Sequence, residues 1–211
     1  MEHTDTPKPK HRQRIRVSWR AVAGIVFGAL LILGIRFVTY NPEQIHYHAN
    51  FALYINGQRE MFKSPMYYEE INGSCAVGKD IKPAQRAHLH DEVPDVVHVH
   101  DHAVTWGDLF MNLHWAVGPN FIRTPDKIYQ TGDGQRLTYI INGQSLDDVS
   151  TEIIKDEDRL LIDFGDTSQA TIQKEFDAVA KTAHQYDIGK DPAACLGNAA
   201  PTWKDRLKHL F

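Results

Sequence analysis

Six histidines fall in three His-x-His pairs, His46/His48, His88/His90 and His98/His100, each inside a short run where apolar and polar residues alternate. In a strand, residues i and i+2 share a face about 6.5–7 Å apart, so one such pair aims two imidazoles at one volume. A neighbouring strand about 4.8 Å away can supply a third or fourth. Imidazole suits zinc, copper, nickel or iron. With no thiolate or methionine in the set, a Zn or Cu ion in the divalent state is favoured over Cu(I). Asp91 and Asp101 directly follow two of the pairs. They are expected to accept ring N–H groups from outside the ligand set, or to ligate themselves. His102 stands in reserve as a further ligand. A single His-x-His is ordinary surface composition, whereas three in phase with the apolar alternation point to a metal site. The competing reading is a solvated imidazole face that titrates near pH 6.5 and serves as a pH-sensitive interaction module.

Whether such a metal would be catalytic stays open. Zinc hydrolysis needs three ligands, an open position and a general base, and Asp91, Asp101 or Glu92 are equivalent candidates for the base. A multicopper oxidase would need more chain and a Cys-His copper segment. The sequence holds no Ser nucleophile elbow and no phosphate loop. His114, close to Trp106 and Phe110 in a helical pattern, reads as a core histidine, and His3, His11, His184 and His209 have no supporting pattern. The net charge of −4 leaves no broad basic footprint, so nucleic acid is not an expected partner.

The elements that must position these residues follow from periodicity. Ile45 to Ile55 alternates as a strand, Asn56-Gly57 is a hairpin signal, and Gln58 to Phe62 can return as the partner. Residues 63 to 84, interrupted by Pro65, Gly73, Gly78 and Pro83, read as an irregular excursion. Ala87 to His102 forms two alternating runs around a DEVPD turn, with one apolar and one imidazole face. Thr105 then caps a helix, with Asp108 completing the box and Trp106, Phe110, Leu113 and Val117 at helical spacing. Leu137 to Asn142 and Arg159 to Phe164 are strands. Thr167 to Tyr186 is an amphipathic helix built on Ile172, Phe176, Val179, Ala180 and Ala183. Trp203, Leu207 and Leu210 give the tail a short second apolar face. The fold class expected is α+β, a mixed sheet with one packed helix and a C-terminal helix.

The order hairpin, helix, strand, strand, ending in LTYIINGQSLDDVSTEIIKDEDRLLIDFG, resembles the ubiquitin-like β-grasp of small sulfur-carrier proteins over roughly residues 86 to 166. The resemblance implies a β-grasp-like fold. It does not carry the sulfur chemistry, because Phe164-Gly165-Asp166 runs on where a carrier ends in a free Gly-Gly. The pattern HYHANFALYING, HLHD, HVHD and VTWGDLF behind one apolar segment also resembles a group of uncharacterised bacterial single-pass membrane-anchored proteins, which implies no function.

That apolar segment is Val17 to Tyr40, charge-free from Ala21 to Ile35 with Arg20 and Arg36 near its ends. At about 1.5 Å per residue it is long enough for a hydrocarbon core of about 30 Å. A cleaved signal peptide is the alternative, but no small-x-small site follows. Lys8, Lys10, Arg12, Arg14, Arg16 and Arg20 upstream predict a cytoplasmic N-terminus. The expected layout is a basic tail at 1–16, an anchor at 17–40, an extracytoplasmic His-rich domain at 41–166 and a C-terminal helix and tail at 167–211. In an oxidising compartment Cys75 and Cys195 are expected to form a disulfide. The expected partners are the membrane and a metal ion, and the sequence names no protein partner.

Overall fold

The computed structural model describes residues 18–40, 45–68, 82–188 and 202–210. Cys75, Cys195, the basic N-terminal residues up to Arg16 and most of the 63–84 excursion lie outside the described residues, so the expected disulfide does too. The chain forms two compact units, one of residues 1–41 with 200–211 and one of residues 42–199.

In the first unit, α1 (Trp19–Thr39) buries none of its residues, and it is long and apolar enough to cross a membrane by length and composition. It lies within the span read from the sequence.

The second unit is built on β1 (Tyr47–Ile55), which turns at Asn56 and Gly57 into the two-residue β2 (Gln58–Arg59). Both turn residues have positive φ, 52° and 75°, as a tight hairpin of this kind requires. A one-turn helix, α2 (Pro83–Arg86), leads into β3 (Ala87–His88) and then β4 (Val96–Val99). Next come α3 (Trp106–Asn112), a small antiparallel sheet of β5 (Ala116–Gly118), β6 (Phe121–Arg123) and β7 (Ile128–Gln130), and the strands β8 (Arg136–Ile141), β9 (Gln144–Leu146) and β10 (Arg159–Gly165). Two short helices follow, α4 (Gln169–Asp177) and α5 (Ala183–Ile188). The main sheet runs β3-β4-β1-β10-β8-β9, with β2 on β1. Only the central pair, β1 with β10, is parallel; the others are antiparallel. The class is therefore α+β, a mixed sheet with small helices and an apolar N-terminal helix.

The sheet is covered on both faces, which is why β10 reads as a continuous run, RLLIDFG. On one face Ala49, Phe51, Leu53, Val97, Val99, Leu160, Ile162 and Phe164 pack against Trp106, Leu109 and Phe110 of α3 to form the main core. On the other, Ala52, Ile140 and Leu161 meet Ile172, Phe176 and Val179 from α4 and its end. The histidines occupy the β1 and β4 end of this second face.

The capping box forms as expected. Asp108 N donates to Thr105 Oγ1 at 3.1 Å and Thr105 N donates to Asp108 Oδ2 at 2.9 Å. The glycine between them is required by a close approach. A Cβ on Gly107 would lie 2.3 Å from Ser150 O, which accepts the Gly107 N–H.

Three expectations need correction. Helix α3 stops at Asn112, and Val117 belongs to β5, because His114 turns the chain in the left-handed region at φ 61°. His114 is accordingly exposed rather than a core residue. The helix expected over 167–186 is two, broken between Asp177 and Ala183. Arg159 of β10 takes the carbonyls of Phe176, Val179 and Ala180, ending α4 where no glycine or proline marks a stop. Ser168 supplies the α4 N-cap.

The first unit also holds α6 (Trp203–Lys208), formed by the tail's second apolar stretch.

Candidate metal centre

Register places His48 opposite His98, and His98 opposite His88, so three strands carry these imidazoles in one row across the sheet. Side chains two residues along a strand return to the same face. His100 and His46 therefore extend the face past the Tyr47↔Val99 pair, with Arg86 beside them where His100 N donates to Arg86 O. On the other side come His90 and the Val96↔Asn50 pair. The result is one patch, with His100 and His46 in a first row, His88, His98 and His48 in a second, and His90, Val96 and Asn50 beyond them. His98 is its centre.

The six imidazoles chosen from the sequence are thus brought together. The His98 ring lies 4.4 Å from His48, 4.5 Å from His90 and 5.8 Å from His88, centroid to centroid. His46 is 4.6 Å from His48 and 4.7 Å from His100, and His100 is 5.1 Å from His88. His48, His88, His90 and His98 are buried, with at most 2% of their surface exposed, and His46 and His100 are half-buried. His46, His98 and His100 form a set whose ring nitrogens, one from each, lie within 4.8 Å of one another. Ligand atoms around a tetrahedral zinc sit about 3.3 Å apart for Zn–N bonds of about 2.0 Å, so small side-chain rotations would close this set on an ion.

A hydrogen-bonded chain fixes which nitrogen His98 can offer. Asp187 Oδ1 lies 2.5 Å from His48 Nδ1, and His48 Nε2 lies 3.0 Å from His98 Nδ1. An ionised carboxylate only accepts, so His48 Nδ1 carries the proton, and in the neutral ring His48 Nε2 accepts in turn. His98 Nδ1 must then donate, which makes Nε2 the basic atom of His98. The same two bonds engage both ring nitrogens of His48, so here His48 holds His98 in place.

Asp187 was not foreseen from the sequence, since 139 positions separate it from His48 and no local pattern links them. It arrives on α5, together with Tyr186, whose ring lies 5.7 Å from His48 and 6.1 Å from His98. Asn50 seats that helix. Its Oδ1 accepts from Thr182 N and Ala183 N at 2.9 Å each, and its Nδ2 donates to Asp95 O and Thr182 Oγ1. Asn50 did leave a signal: it is the next polar residue of the same alternation as His46 and His48.

The remaining candidates sit as follows. Asp91 Oδ1 lies 3.1 Å from His90 Nδ1. Asp101 instead accepts from Arg86 Nε at 2.8 Å and from His102 N. His102 is exposed in the turn after β4, and Glu92 is exposed at the tip of the DEVPD turn. His184, which had no sequence pattern, pairs with Glu157 at 2.8 Å and forms with Glu157 and Asp187 a second, solvent-facing group of possible ligands.

Burial controls the charge of the patch. Desolvation first, and then the neighbouring histidines His48, His90, His88 and His46, push the His98 pKa far below its ordinary value. Desolvation, followed by His88 and His46, lowers His100 to about 3. Both rings are neutral across physiological pH, so each keeps one N–H and offers one nitrogen lone pair.

Comparison of the chain with protein-family models, curated proteins and solved structures returns no match. The functional reading therefore rests on the geometry of the site.

Proposed function

We propose that this protein is a membrane-tethered metal-binding protein whose histidine patch holds a zinc or copper ion for buffering, delivery or sensing. The observation that carries the reading is the convergence of His46, His98 and His100, with one ring nitrogen from each within 4.8 Å of the others, on a six-imidazole face. Carboxylate support of a ligand histidine through its other ring nitrogen is the usual companion of a metal site, and the Asp187–His48–His98 chain supplies it one residue removed. His88, His90 and His48 surround the trio as further ligands or supports. The neutral rings of His98 and His100 favour metal over a proton-sensing surface at those two positions, because a sensor needs groups that titrate near pH 6.5. Cover by α5 favours holding an ion over turning over a substrate.

Two further parts belong to the proposal. The strand order β4-β1-β10-β8-β9 around a parallel centre, with α3 across one face, supports a β-grasp-like assignment. The first strand of that arrangement is β1, not the 87–102 hairpin. The α1 helix and the basic residues before it support a single-pass anchor in the cell membrane, with the N-terminus in the cytoplasm and the histidine domain outside.

The test is elemental analysis of the full chain, purified in detergent without a histidine tag. At least one zinc or copper per chain is expected, reduced by one equivalent in the His46→Ala/His98→Ala/His100→Ala variant. A folded wild-type chain that carries no metal and takes up neither added ion would refute the reading.

A further inference from the structure

At the C-terminal end of α1 the backbone carbonyls run out of helical partners, and the tail of the chain supplies them. Arg206 Nη1 donates to Phe37 O and Val38 O, each at 2.8 Å. Arg36 Nη2 donates in return to His209 O at 3.2 Å, and the Tyr40 and His209 rings stack at 4.2 Å. These contacts fasten α6 at the point where the charge-free stretch of α1 ends, since Arg36 is the first charged residue after Ala21 to Ile35. In a bilayer crossed by α1, Arg36 and Tyr40 mark the headgroup boundary, the depth at which Arg snorkels and Tyr and Trp concentrate.

The faces of α6 fit that depth. Trp203 and Leu207, one helical turn apart, share one face of α6 and are 64% and 46% exposed, with Arg206 bordering that face on the side that meets α1. Lys204 and Lys208 flank them at the same spacing, with Lys204 Nζ 5.8 Å from the Trp203 ring. An exposed tryptophan and leucine bordered by lysines, anchored at the end of a membrane-spanning helix, match the boundary between acyl chains and phosphates.

We propose that α6 is an interfacial lipid-binding element that lies in the membrane surface beside the end of α1. Trp203 and Leu207 enter the edge of the acyl region, and Lys204 and Lys208 meet lipid phosphates. The inference rests on the reading of α1 as a membrane span.

The experiment uses the full chain in vesicles of phosphatidylcholine and phosphatidylglycerol, with or without lipids brominated near the top of the acyl chain, where bromine quenches tryptophan on contact. Trp19 is changed to Phe throughout, because it sits at the other end of α1 and would also be quenched. In the Trp19→Phe protein, the emission component assigned to Trp203 by difference from Trp19→Phe/Trp203→Phe should fall at least twofold in brominated vesicles. Lys204→Glu/Lys208→Glu should weaken that quenching. Equal emission of the Trp203 component in both vesicle types, from protein that resists alkaline extraction, would overturn the placement of α6 and leave the α1 anchor standing. Quenching unaffected by the charge reversal would overturn the phosphate contact. Release of the whole chain by alkaline extraction would overturn the membrane reading and this inference with it.

Discussion

Replacing Asn50 by aspartate keeps the side chain's shape and tests the seating of α5 over the histidines. Asn50 is 1% exposed and its hydrogen-bonding capacity is fully used. The oxygen that accepts the Thr182 and Ala183 N–H groups survives the change, and a carboxylate there would strengthen both bonds. The nitrogen does not survive. An oxygen would face Asp95 O at the 3.1 Å now spanned by a donated hydrogen. Thr182 Oγ1 can turn to donate, so one acceptor–acceptor contact remains in a buried place. Leaving such a group unpaired costs about 1–3 kcal/mol, and burying the charge adds to it, while the two strengthened bonds offset about 1 kcal/mol. A net loss of about 2 kcal/mol at pH 7.5 is expected. The protonated carboxyl can donate to Asp95 O again, so the folded pKa of the introduced group rises above the unfolded value of about 3.9. The loss is therefore full above the folded pKa and disappears below about pH 4. At about 1.4 kcal/mol per pKa unit, a loss of 2 kcal/mol places the folded value at roughly 5–6. Urea denaturation followed by the fluorescence of the buried Trp106 and Trp115, on variant and wild type at pH 4.5 and 7.5, reads the difference directly. A deficit of the same size at both pH values, or none at pH 7.5, would refute this account of the Asn50 hub.

Asp187→Ala should weaken metal binding by about 10- to 100-fold in competition with a chromophoric chelator, because it removes the group that sets the tautomers of His48 and His98; unchanged affinity would remove Asp187 from the site. Asp163 and Glu175 are both buried between β10 and α4, and burial followed by the Asp163 charge raises Glu175 to about 7. A raised carboxyl costs stability as pH climbs from about 4.5 through 7, so Glu175→Gln should be more stable than wild type by about 1–2 kcal/mol at pH 8 and nearly equal at pH 4.5, by denaturant titration. Gly107→Ala forces its new methyl group onto Ser150 O and should lower stability by about 2 kcal/mol or more; a thermal midpoint within 2 °C of wild type, an interval of roughly 0.5 kcal/mol, would show that the Ser150 loop yields.

Much of the candidate site was legible because strand periodicity is local. The alternation at 45–55 and 87–102 assigned every His-x-His pair to one face, and the register then had only to bring three strands side by side. The capping box at Thr105 and Asp108 was legible for the same reason. What could not be read is whatever depends on distant partners. The break between α4 and α5 comes from the Arg159 guanidinium on β10 and the Asn50 amide on β1, not from a helix-breaking residue. The β5-β6-β7 sheet hid behind Val117, which continued the spacing of α3 by coincidence, whereas the Pro119-Asn120 turn joining β5 to β6 carried the true signal. Asp101 was placed behind His100 by adjacency, but β4 ends at Val99 and the chain bends at Asp101, whose carboxylate takes the Arg86 guanidinium instead.

The two faces of these strands divide their work. Ala49, Phe51, Val97 and Val99 bury against α3 in the main core, while His46, His48, His98 and His100, which alternate with them, lie on the other face. Burying an imidazole costs desolvation that a valine at the same position would not incur. Four buried and two half-buried imidazoles on one face are more than packing calls for. On the reading proposed above, ligation would account for them, because the desolvation that penalises the imidazolium form of His98 and His100 leaves neutral nitrogen donors. The local cost in stability would then be a cost of selectivity for a metal ion over a proton.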